Sequence, residues 1–460
     1  MTRRTLVSMA SFALLWLGNA GHSQSPIFVA TTDFQTGSTA LWSAGLTKAE
    51  VNLLTIHSDA SVRFNRGRIY VVNRLGQDNI LVLDPANPRQ PLNQFSVGNG
   101  TNPHDIVVVS DSKAYVSRYG STELLIVNPA NGAELGSVDL SSFSDADGLP
   151  EMSQMTLIGN RLYVACQRLD RDGGFVPADI GVVAVIDTQT DLLVDGIALS
   201  GQNPHSMRIA GDRLVISLTG AFGDRQGGIE VFMTDSRVGE MVISETQFGG
   251  DVQSIDLVTA DRGYAVVADE NFTNLVVPFD LARRSVGEPL QGLSGGFIPS
   301  VLVEGDRLIV ADQGPFGQTD LAGLLVYDTN NHQRRVGPIS TGLPPNSLAL
   351  LGERRITAVL HERSLLPNGG GLGDAYPNPF NASTLIPVTL SRQQGGAELA
   401  VFDVVGRRVR TLMLDDRQAG AQRVLWDGRD EKDRAVATGT YLIRLVVEGV
   451  MTARQVTLLK

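Results

Sequence analysis

The chain has 460 residues, of which 42% are hydrophobic and 19% are charged, with 49 glycines and a net charge of −11. This length predicts two domains, because one hydrophobic core rarely grows to that size. The hydrophobic content excludes a largely disordered protein. The acidic balance excludes a nucleic-acid binder, which would need excess Lys and Arg to neutralise phosphates. The many glycines favour short strands joined by tight turns.

The N-terminus is predicted to be a signal peptide spanning residues 1–23. Arg3 and Arg4 supply positive charge, about a dozen mostly apolar residues follow, and cleavage is expected near Ala20 or Ser23. The apolar stretch is shorter than the ~20 residues that cross a bilayer, so no transmembrane segment is expected in the mature protein. The paired arginines leave general and twin-arginine export both open. We therefore expect a secreted or cell-surface protein.

Cys166 is the only cysteine of the chain, which excludes an intramolecular disulfide and a lipoprotein anchor. It lies in an apolar run, residues 162–166, that is typical of a strand interior. We therefore predict a small buried residue, with a reactive or intermolecular thiol as the alternative.

A repeat extends through residues 28–360. Its most regular element is a strand of β-branched and aromatic residues led by Arg or Lys, which recurs every 45 to 52 residues and begins at Arg68, Lys113, Arg161, Arg213, Arg262 and Arg307. One apolar strand precedes each of these and two follow, with no helical periodicity between them. Four strands per repeat predict the blades of a β-propeller.

Six complete repeats begin near residues 58, 101, 149, 201, 251 and 296, and a seventh is expected to be assembled from both ends of the region. Residues 27–57 would supply its late strands and residues 347–360 its early ones, although residues 28–30 and 356–360 both fit the second strand. Sharing one blade between the two ends closes the ring and leaves no free sheet edge. We predict an all-β fold whose residues 27–364 form a seven-bladed β-propeller, with six or eight blades as alternatives.

Two segments carry a resemblance to a known group of propellers. Tyr70-Val71-Val72-Asn73 and Val185-Ile186-Asp187 resemble the YVTN-type repeats of bacterial seven-bladed propellers of the surface-layer and lactonase-like group. The resemblance covers about three hundred residues and implies the fold rather than an activity.

The C-terminal part of the chain is predicted to be a separate domain. A glycine-rich stretch at residues 365–375 indicates a linker to residues 376–460. Strand-like segments with alternating apolar residues follow, as at Leu399 and Val401. This pattern favours an immunoglobulin-like β-sandwich.

Short motifs in this domain resemble the C-terminal sorting domains of type IX secretion cargo, which share an immunoglobulin-like fold with the flagellar-hook capping protein. The motif residues are Tyr376, Pro377, Asn378, Pro379, Asp403, Gly406, Trp426, Gly439, Tyr441 and Lys460. The resemblance implies that the outer-membrane secretion machinery is a partner. A plain adhesive or spacer domain is the alternative, because the glycines would serve as turn residues and the aromatics as core residues in either case.

Ionisable residues at strand ends define a candidate site in the propeller. The loop that enters each innermost strand and the loop that leaves each second strand reach the same face. The first position is held by His104 and His205, and the second by Arg74, Arg118, Arg168, Asp269 and Asp312. We predict that these residues rim one mouth of the central channel, where a ligand would bind.

Two functions fit such a mouth. The main prediction is an extracellular binding protein that recognises a protein or a glycan. The alternative is a lactonase-like hydrolase, for which His104, His205, Arg118 and Asp269 are the catalytic candidates, because water activation needs a base near a cationic group. Each residue also has a structural explanation, since strand-end His, Asp and Arg often cap backbones, form turns or pair with neighbouring loops.

Calcium is the one cofactor that the sequence suggests. Asp145 and Asp147, and likewise Asp170 and Asp172, are spaced two apart before a glycine, as at the start of a calcium-binding loop. Neither loop continues into a complete EF-hand, although Glu151 follows the first. The five histidines of the mature chain are far apart in sequence, which argues against a zinc or copper centre.

Overall fold

The computed structural model describes residues 24–43, 45–234, 239–352, 370–372, 375, 378–390, 397–403, 407–414, 420–447 and 450–459. The predicted signal peptide lies outside these residues. The described residues up to 352 belong to one compact unit, and those from 370 onward belong to a second.

The first unit is built almost wholly of strands. In chain order they are β1 (Ile27–Thr32), β2 (Gly37–Trp42), β3 (Thr55–Ile56), β4 (Ser61–Asn65), β5 (Arg68–Asn73), β6 (Asn79–Asp84), β7 (Asn87–Ser96), β8 (Pro103–Ser110), β9 (Lys113–Arg118), β10 (Glu123–Val127), β11 (Glu134–Asp139), β12 (Met152–Ile158), β13 (Arg161–Cys166), β14 (Leu169–Asp170), β15 (Val176–Pro177), β16 (Val182–Asp187), β17 (Leu192–Ala198), β18 (Pro204–Ala210), β19 (Arg213–Leu218), β20 (Gly228–Met233), β21 (Gly239–Ser244), β22 (Asp251–Leu257), β23 (Arg262–Ala268), β24 (Asn274–Asp280), β25 (Ser285–Val286), β26 (Ser300–Glu304), β27 (Arg307–Asp312), β28 (Gly323–Asp328), β29 (Arg334–Ile339) and β30 (Pro345–Leu350). The helical segments are α1 (Glu245–Phe248) and two 3-10 turns, Ser141–Phe143 and Thr319–Leu321.

These strands form seven four-stranded antiparallel sheets in the described part of the unit. From the innermost strand outward, blade 1 is β30-β1-β2-β3, blade 2 is β4-β5-β6-β7, blade 3 is β8-β9-β10-β11, blade 4 is β12-β13-β16-β17, blade 5 is β18-β19-β20-β21, blade 6 is β22-β23-β24-β25 and blade 7 is β26-β27-β28-β29. The innermost strands contact one another in a closed ring. The predicted seven-bladed propeller is therefore confirmed.

Blade 1 joins the two ends of the ring. Its innermost strand comes from residues 345–350, and its other three strands come from the N-terminal segment. Phe28 and Ala30 lie in β1, directly beside the innermost strand, so this segment holds the second-strand position. The competing segment, residues 356–360, lies outside the described residues. The C-terminal end therefore contributes one described strand to this blade, where several were predicted.

The core of the propeller lies between neighbouring blades. Each of the seven interfaces holds its own cluster of buried hydrophobic residues. Both faces of every blade are thus covered, which explains why the inner strands are continuous apolar runs rather than alternating ones. Cys166 is part of the cluster between blades 3 and 4 and is fully buried, as predicted. Burial raises the pKa of its thiol to about 12, so it is not a reactive thiolate.

Two buried carboxylates connect consecutive blades at the centre of the ring. Asp105 of blade 3 accepts two hydrogen bonds from the Arg63 guanidinium of blade 2, at 2.6 and 3.0 Å, and one from the Met155 amide of blade 4, at 2.9 Å. Asp256 of blade 6 repeats this arrangement. It accepts hydrogen bonds from Arg208 of blade 5 at 2.9 Å and from the Val303 amide of blade 7 at 2.7 Å.

The second unit is a β-sandwich. Its described strands are β31 (Gly370–Leu372), β32 (Thr384–Leu390), β33 (Glu398–Asp403), β34 (Arg408–Leu412), β35 (Gly420–Trp426), β36 (Gly439–Val447) and β37 (Val450–Leu458). One sheet has the order β31-β32-β35 and the other β34-β33-β36-β37, with a single hydrophobic core between them. The predicted linker, residues 365–375, needs correction at β31, because this glycine-rich segment pairs with β32 through its backbone. The sandwich therefore begins before residue 376.

The described motif residues hold this sandwich together. Trp426 is fully buried and packs against Tyr441 and Phe380, with ring centroids 5.2 and 5.3 Å apart. The Tyr441 hydroxyl donates to the Ala437 carbonyl at 2.7 Å, a bond to the upstream backbone like that of an immunoglobulin tyrosine corner. The Asn378 side chain accepts from the Thr457 amide.

Of the remaining motif residues, the structure describes Pro379, Asp403 and Gly439, and Gly439 begins β36. Asp403 accepts hydrogen bonds from the backbone and side chain of Arg407, which closes the turn after β33. Tyr376, Pro377, Gly406 and Lys460 lie outside the described residues. No helix in the described parts of either unit is long and apolar enough to cross a membrane.

Candidate functional site

One face of the propeller carries the loops that link the second and third strands of each blade, together with the segments that enter the innermost strands. We call this the mouth face. Its seven linking loops, the mouth loops, are residues 33–36, 74–78, 119–122, 167–181, 219–227, 269–273 and 313–322, in order from blade 1 to blade 7. Buried carboxylates tie these loops to the neighbouring segments. Asp78, for example, accepts hydrogen bonds from the Gly100 and Asn102 amides.

Four of the predicted site residues are used in this loop structure. The Arg118 guanidinium donates to the carbonyls of Glu123 and Val97. Arg168 donates to the Ile180 carbonyl and pairs with Asp179 at 3.0 Å. Asp269 accepts from the Asn271 and Thr273 amides, and Asp312 accepts from the Ser294 amide and hydroxyl and from the Gly314 amide. The structural roles that the sequence allowed for these four residues therefore account for the hydrogen bonds that they form.

The other three predicted residues come together at the channel. Burial lowers the pKa of His104 well below its usual value of 6.5, and the nearby charge of Arg74 and the His205 ring lower it further. Burial and the charge of Arg74 also lower the pKa of His205. A hydrogen bond to the Gln253 backbone partly opposes this effect by raising the pKa. Each ring has a buried Nδ1 without a hydrogen-bond partner. The guanidinium of Arg74 also pairs with Asp59 at 3.3 Å.

This environment predicts a pH effect on stability to which His104 contributes. Its folded pKa lies below 6.5, so below that pH the unfolded chain binds a proton that the folded chain excludes, and stability falls as the pH drops. His104→Phe preserves the stacking on Tyr119, whose ring centroid lies 5.6 Å away, and removes the unpartnered nitrogen. We expect the variant to be more stable than the wild type at acidic pH by about 1 kcal/mol, measured by urea unfolding.

The control for this prediction is Tyr119→Phe, which leaves the His104 ring and its stacking in place. This variant should retain the acid sensitivity of the wild type. An unchanged pH profile in His104→Phe, or lower stability at acidic pH, would contradict the prediction.

The two predicted calcium loops differ in structure. Asp145 and Asp147 converge with Glu151, so that one carboxylate oxygen of each lies within 4.8 Å of the others. In the second loop, Asp170 accepts a hydrogen bond from the Gly173 amide at 2.8 Å, and Asp172 is exposed. The described residues of the second loop are not part of any such convergent group.

Large apolar side chains project into solvent from six of the seven mouth loops. We call them the apolar rim; they are Phe34, Leu75, Phe175, Phe222, Phe272 and Phe316, with exposures between 47% and 98%. The Phe222 and Phe272 rings stack in parallel across blades 5 and 6, with centroids 4.5 Å apart and an interplanar angle of 4°. In blade 3, Tyr119 occupies the loop and stacks on His104 instead.

The backbone of the rim is strained at four positions. Phe34, Leu75, Phe175 and Phe272 have φ values of 68°, 46°, 64° and 61°, in the left-handed region that glycine tolerates best. For residues with a Cβ, this conformation costs about 1–2 kcal/mol each. Neither the strain nor the exposure of these side chains stabilises the fold.

The exposed charges on the mouth loops are all acidic. They are Asp33, Asp172, Asp179, Glu270 and Asp320. The arginines of these loops, Arg74, Arg168, Arg171 and Arg225, are partly buried, as is Arg118 at the end of β9. The mouth face therefore combines apolar rings with negative charge.

The rim was not among the predicted site residues, because only ionisable residues of these loops were considered as candidates. A signal was present, since single phenylalanines stand in otherwise polar or glycine-rich loops, as in Asp33-Phe34-Gln35 and Pro315-Phe316-Gly317. A large hydrophobic residue at the tip of a tight loop has no neighbours to cover it. The repetition of this pattern from loop to loop was the available clue.

Comparisons with known proteins agree with this architecture. A family model described as the FlgD Ig-like domain matches residues 377–449. The chain is a seven-bladed β-propeller followed by an immunoglobulin-like domain.

Similar solved structures include the hydrazine synthase of Kuenenia stuttgartiensis, at 15% identity and a TM-score of 0.50, covering 64% of this chain and 91% of that one. Apo AztD from Citrobacter koseri has 12% identity, a TM-score of 0.44 and coverages of 71% and 97%. The Dos1 propeller has 11% identity, a TM-score of 0.44 and coverages of 70% and 83%. Such likeness concerns the fold alone. Comparison with curated protein sequences finds no match.

Proposed function

We propose that this protein is an exported binding protein whose propeller recognises another extracellular protein through its mouth face. The apolar rim carries the proposal. Monomeric proteins rarely expose a series of large apolar side chains on one face, and such surfaces commonly mark interaction sites. Aromatic anchors supply much of the binding energy of protein interfaces. The strained backbones at Phe34 and Phe272 fit this use, because they hold the rings outward at a cost to stability.

The chemistry of the mouth favours a protein over a glycan. A sugar needs many hydrogen-bond donors and acceptors around the aromatic ring on which it stacks. Here two of the polar residues predicted for the site are used within the loops, since Asp269 accepts from two amides of its own loop and Arg118 donates to two carbonyls. The rim itself consists of Phe and Leu side chains, which carry no polar atom. An apolar protein surface matches these properties.

The charge of the mouth face indicates the character of the partner. Every exposed charged residue on the mouth loops is acidic, so a cationic partner would be attracted and an acidic one repelled. We therefore expect a basic protein surface with projecting apolar residues.

Binding assays with rim variants test this proposal. The mature full-length chain is immobilised and titrated with synthetic peptides that combine Lys or Arg with Phe, Leu or Trp, and with acidic peptides of the same apolar content. The triple variant Phe222→Ser, Phe272→Ser and Phe316→Ser should weaken binding of the basic peptides by about 100-fold or more. High salt should also weaken it.

A matched control removes as many exposed hydrophobic side chains away from the mouth. The control is the triple variant Leu92→Ser, Leu135→Ser and Leu192→Ser. These leucines lie on the outermost strands of blades 2, 3 and 4 and are similarly exposed. This variant should bind like the wild type. Equal losses in both triple variants would refute a specific rim. Rim-dependent binding on a glycan array, without binding of basic peptides, would replace the protein partner with a glycan.

We also propose that the C-terminal domain directs the protein through the outer membrane. The match to the FlgD Ig-like family supports the fold that such sorting domains have. Trp426 and Tyr441, two residues of the sorting motif, are central to its core. A cleavable signal peptide and this domain together would place the propeller outside the cell.

A lactonase-like hydrolase is the second candidate, favoured by the group of His104, His205 and Arg74. Lowered pKa values keep both imidazoles neutral and able to accept a proton, and Arg74 supplies a cationic group beside them. The test is lactone hydrolysis by the wild type, by His104→Phe and by the rim variant. Activity that is lost in His104→Phe but fully retained in the rim variant would favour this function over binding.

A further inference from the structure

Three acidic side chains converge at the edge of the mouth in blade 4. Asp145 and Asp147 lie in the segment that enters the blade, and Glu151 directly precedes its innermost strand. One carboxylate oxygen from each lies within 4.8 Å of the others. This spacing fits oxygens on either side of a calcium ion, whose bonds to oxygen are about 2.3–2.6 Å long.

Glu151 is the residue that indicates a ligand. Its side chain is fully buried, and its Oε1 has no hydrogen-bond partner. The other oxygen, Oε2, accepts from the Leu169 amide at 3.0 Å. Two further buried oxygens in the same segment, Ser144 Oγ and Asp145 Oδ2, also have no hydrogen-bond partner. Buried oxygens of this kind are costly unless a cation, a proton or a hydrogen bond compensates them.

The protein itself supplies little positive charge here. The Arg171 Nε lies 3.7 Å from Glu151 Oε1, which is too far for a hydrogen bond. Arg168 is also near Asp145, but its guanidinium pairs with Asp179 at 3.0 Å. The three carboxylates therefore leave a surplus of negative charge.

We propose that Asp145, Asp147 and Glu151 form a calcium-binding site. Carboxylate oxygens are the ligands that hard divalent cations prefer. Calcium suits the separation of these oxygens better than magnesium, because magnesium needs shorter bonds of about 2.0–2.1 Å.

The site would join two parts of blade 4 that meet at the mouth. Glu151 accepts from the Leu169 amide, and the Asp147 carboxylate accepts from the Arg171 amide at 3.4 Å. Leu169 begins the β14–β15 hairpin, whose tip carries Phe175 of the apolar rim. Calcium would thus fasten one rim residue to the ring. The proposal does not depend on the identity of the partner.

Calcium titration of the full mature chain tests the proposal. After treatment with a chelator, isothermal titration calorimetry with CaCl2 should show a single site with a Kd of about 10⁻⁴–10⁻³ M, typical of extracellular modules. The melting temperature should rise by about 2 °C at millimolar calcium, and less with magnesium. Glu151→Gln and Asp147→Asn should each weaken binding at least tenfold.

Asp172→Asn is the matched control, because it removes an exposed carboxylate from the other predicted loop. This variant should bind calcium like the wild type. The proposal would be overturned if calcium binding to the wild type released or absorbed no heat, or if Asp147→Asn and Glu151→Gln bound calcium with unchanged affinity. A proton on Glu151 would then be the compensating charge. If Glu151→Gln fails to fold, the wild type and Asp147→Asn decide the question.

Terbium luminescence locates the bound ion. Burial raises the pKa of Tyr119, and the nearby charges of Glu151 and Asp147 raise it further. The Tyr119 ring is therefore close enough to transfer energy to Tb³⁺ at this site. Calcium should displace the ion and quench the sensitised emission. Tyr119→Phe should lower this emission and leave calcium affinity unchanged. Full emission in that variant would place the ion elsewhere.

Discussion

Replacing Asp105 with alanine is expected to lower the free energy of unfolding of the propeller by about 3–5 kcal/mol, because it leaves a partly buried guanidinium without its partner. The carboxylate is fully buried and accepts hydrogen bonds from Arg63 of blade 2 and Met155 of blade 4, as well as from the Ile106 amide at 2.8 Å. One substitution would therefore disconnect three consecutive blades at the centre of the ring.

The measurement is urea unfolding of the mature chain in a Trp426→Phe background. Trp42 of blade 1 then reports on the propeller without a signal from the sandwich core, which contains Trp426. The double variant Arg63→Met, Asp105→Leu should recover part of the loss, since it removes the guanidinium that Asp105→Ala leaves unpaired.

Asp111→Ala is the control for this prediction. Asp111 pairs with Arg66 in the same pair of blades, but its side chain is 91% exposed. Exposed pairs contribute little, so the loss should stay below about 1 kcal/mol. Similar losses in Asp105→Ala and Asp111→Ala would show that the buried bridge has no special role. Asp256→Ala should behave like Asp105→Ala, because its contacts are equivalent.

Deleting residues 374–460 is expected to retain the protein in the periplasm of a host that has the type IX machinery. We expect nearly complete loss of release, because the deletion removes every described strand of the sandwich except β31. The sandwich has its own core, built from residues such as Phe380, Leu399 and Trp426. The ring closes through β30, which ends at Leu350, so the truncated propeller retains every blade. The amounts in periplasm, outer membrane and medium are compared by immunoblotting.

Two controls separate sorting from misfolding. The retained protein should show native Trp42 fluorescence and resist protease, since its blade interfaces are intact. In the reciprocal experiment, a periplasmic reporter fused to residues 370–460, which include β31, should reach the cell surface or the medium. Normal release of the truncated propeller would refute sorting and favour a spacer domain.

The central channel and the apolar rim occupy the same face but use different chemistry. The channel residues His104 and His205 are half-buried and have lowered pKa values, whereas Phe272 and Phe316 of the rim are exposed and apolar. A ligand at the rim would cover the channel mouth. This arrangement explains why the rim variant and His104→Phe distinguish the two candidate functions.

Much of the architecture was predictable from the chain because each blade repeats the same local pattern. Strands buried on both faces need continuous apolar residues, so the segments after Arg68, Lys113 and Arg161 were recognisable without any knowledge of their neighbours. His104 and His205, which the repeat assigned to the entrances of innermost strands, are the second residues of two such strands. Blade 1 was also foreseeable, since incomplete repeats at both ends must pair to close the ring.

The candidate site was only partly predictable, because burial and long-range pairing decide its properties. Asp105 is 42 residues from Arg63 and 50 from Met155, and no local pattern joins the three. Arg118 and Asp312 were correctly assigned to strand ends, yet their bonding to nearby loops depends on how adjacent blades meet. The repeat indicated which residues reach the mouth face, whereas packing between blades decides which of them remain available.

The apolar rim illustrates the same difference. Each phenylalanine is visible in the chain, but its exposure follows from the loop conformation and from the closing of the ring, which brings loops such as 219–227 and 269–273 side by side. Local sequence encodes strands and turns because these depend on neighbouring residues. Contacts between distant segments arise only when the blades assemble, and the surface available to a partner is formed at that stage.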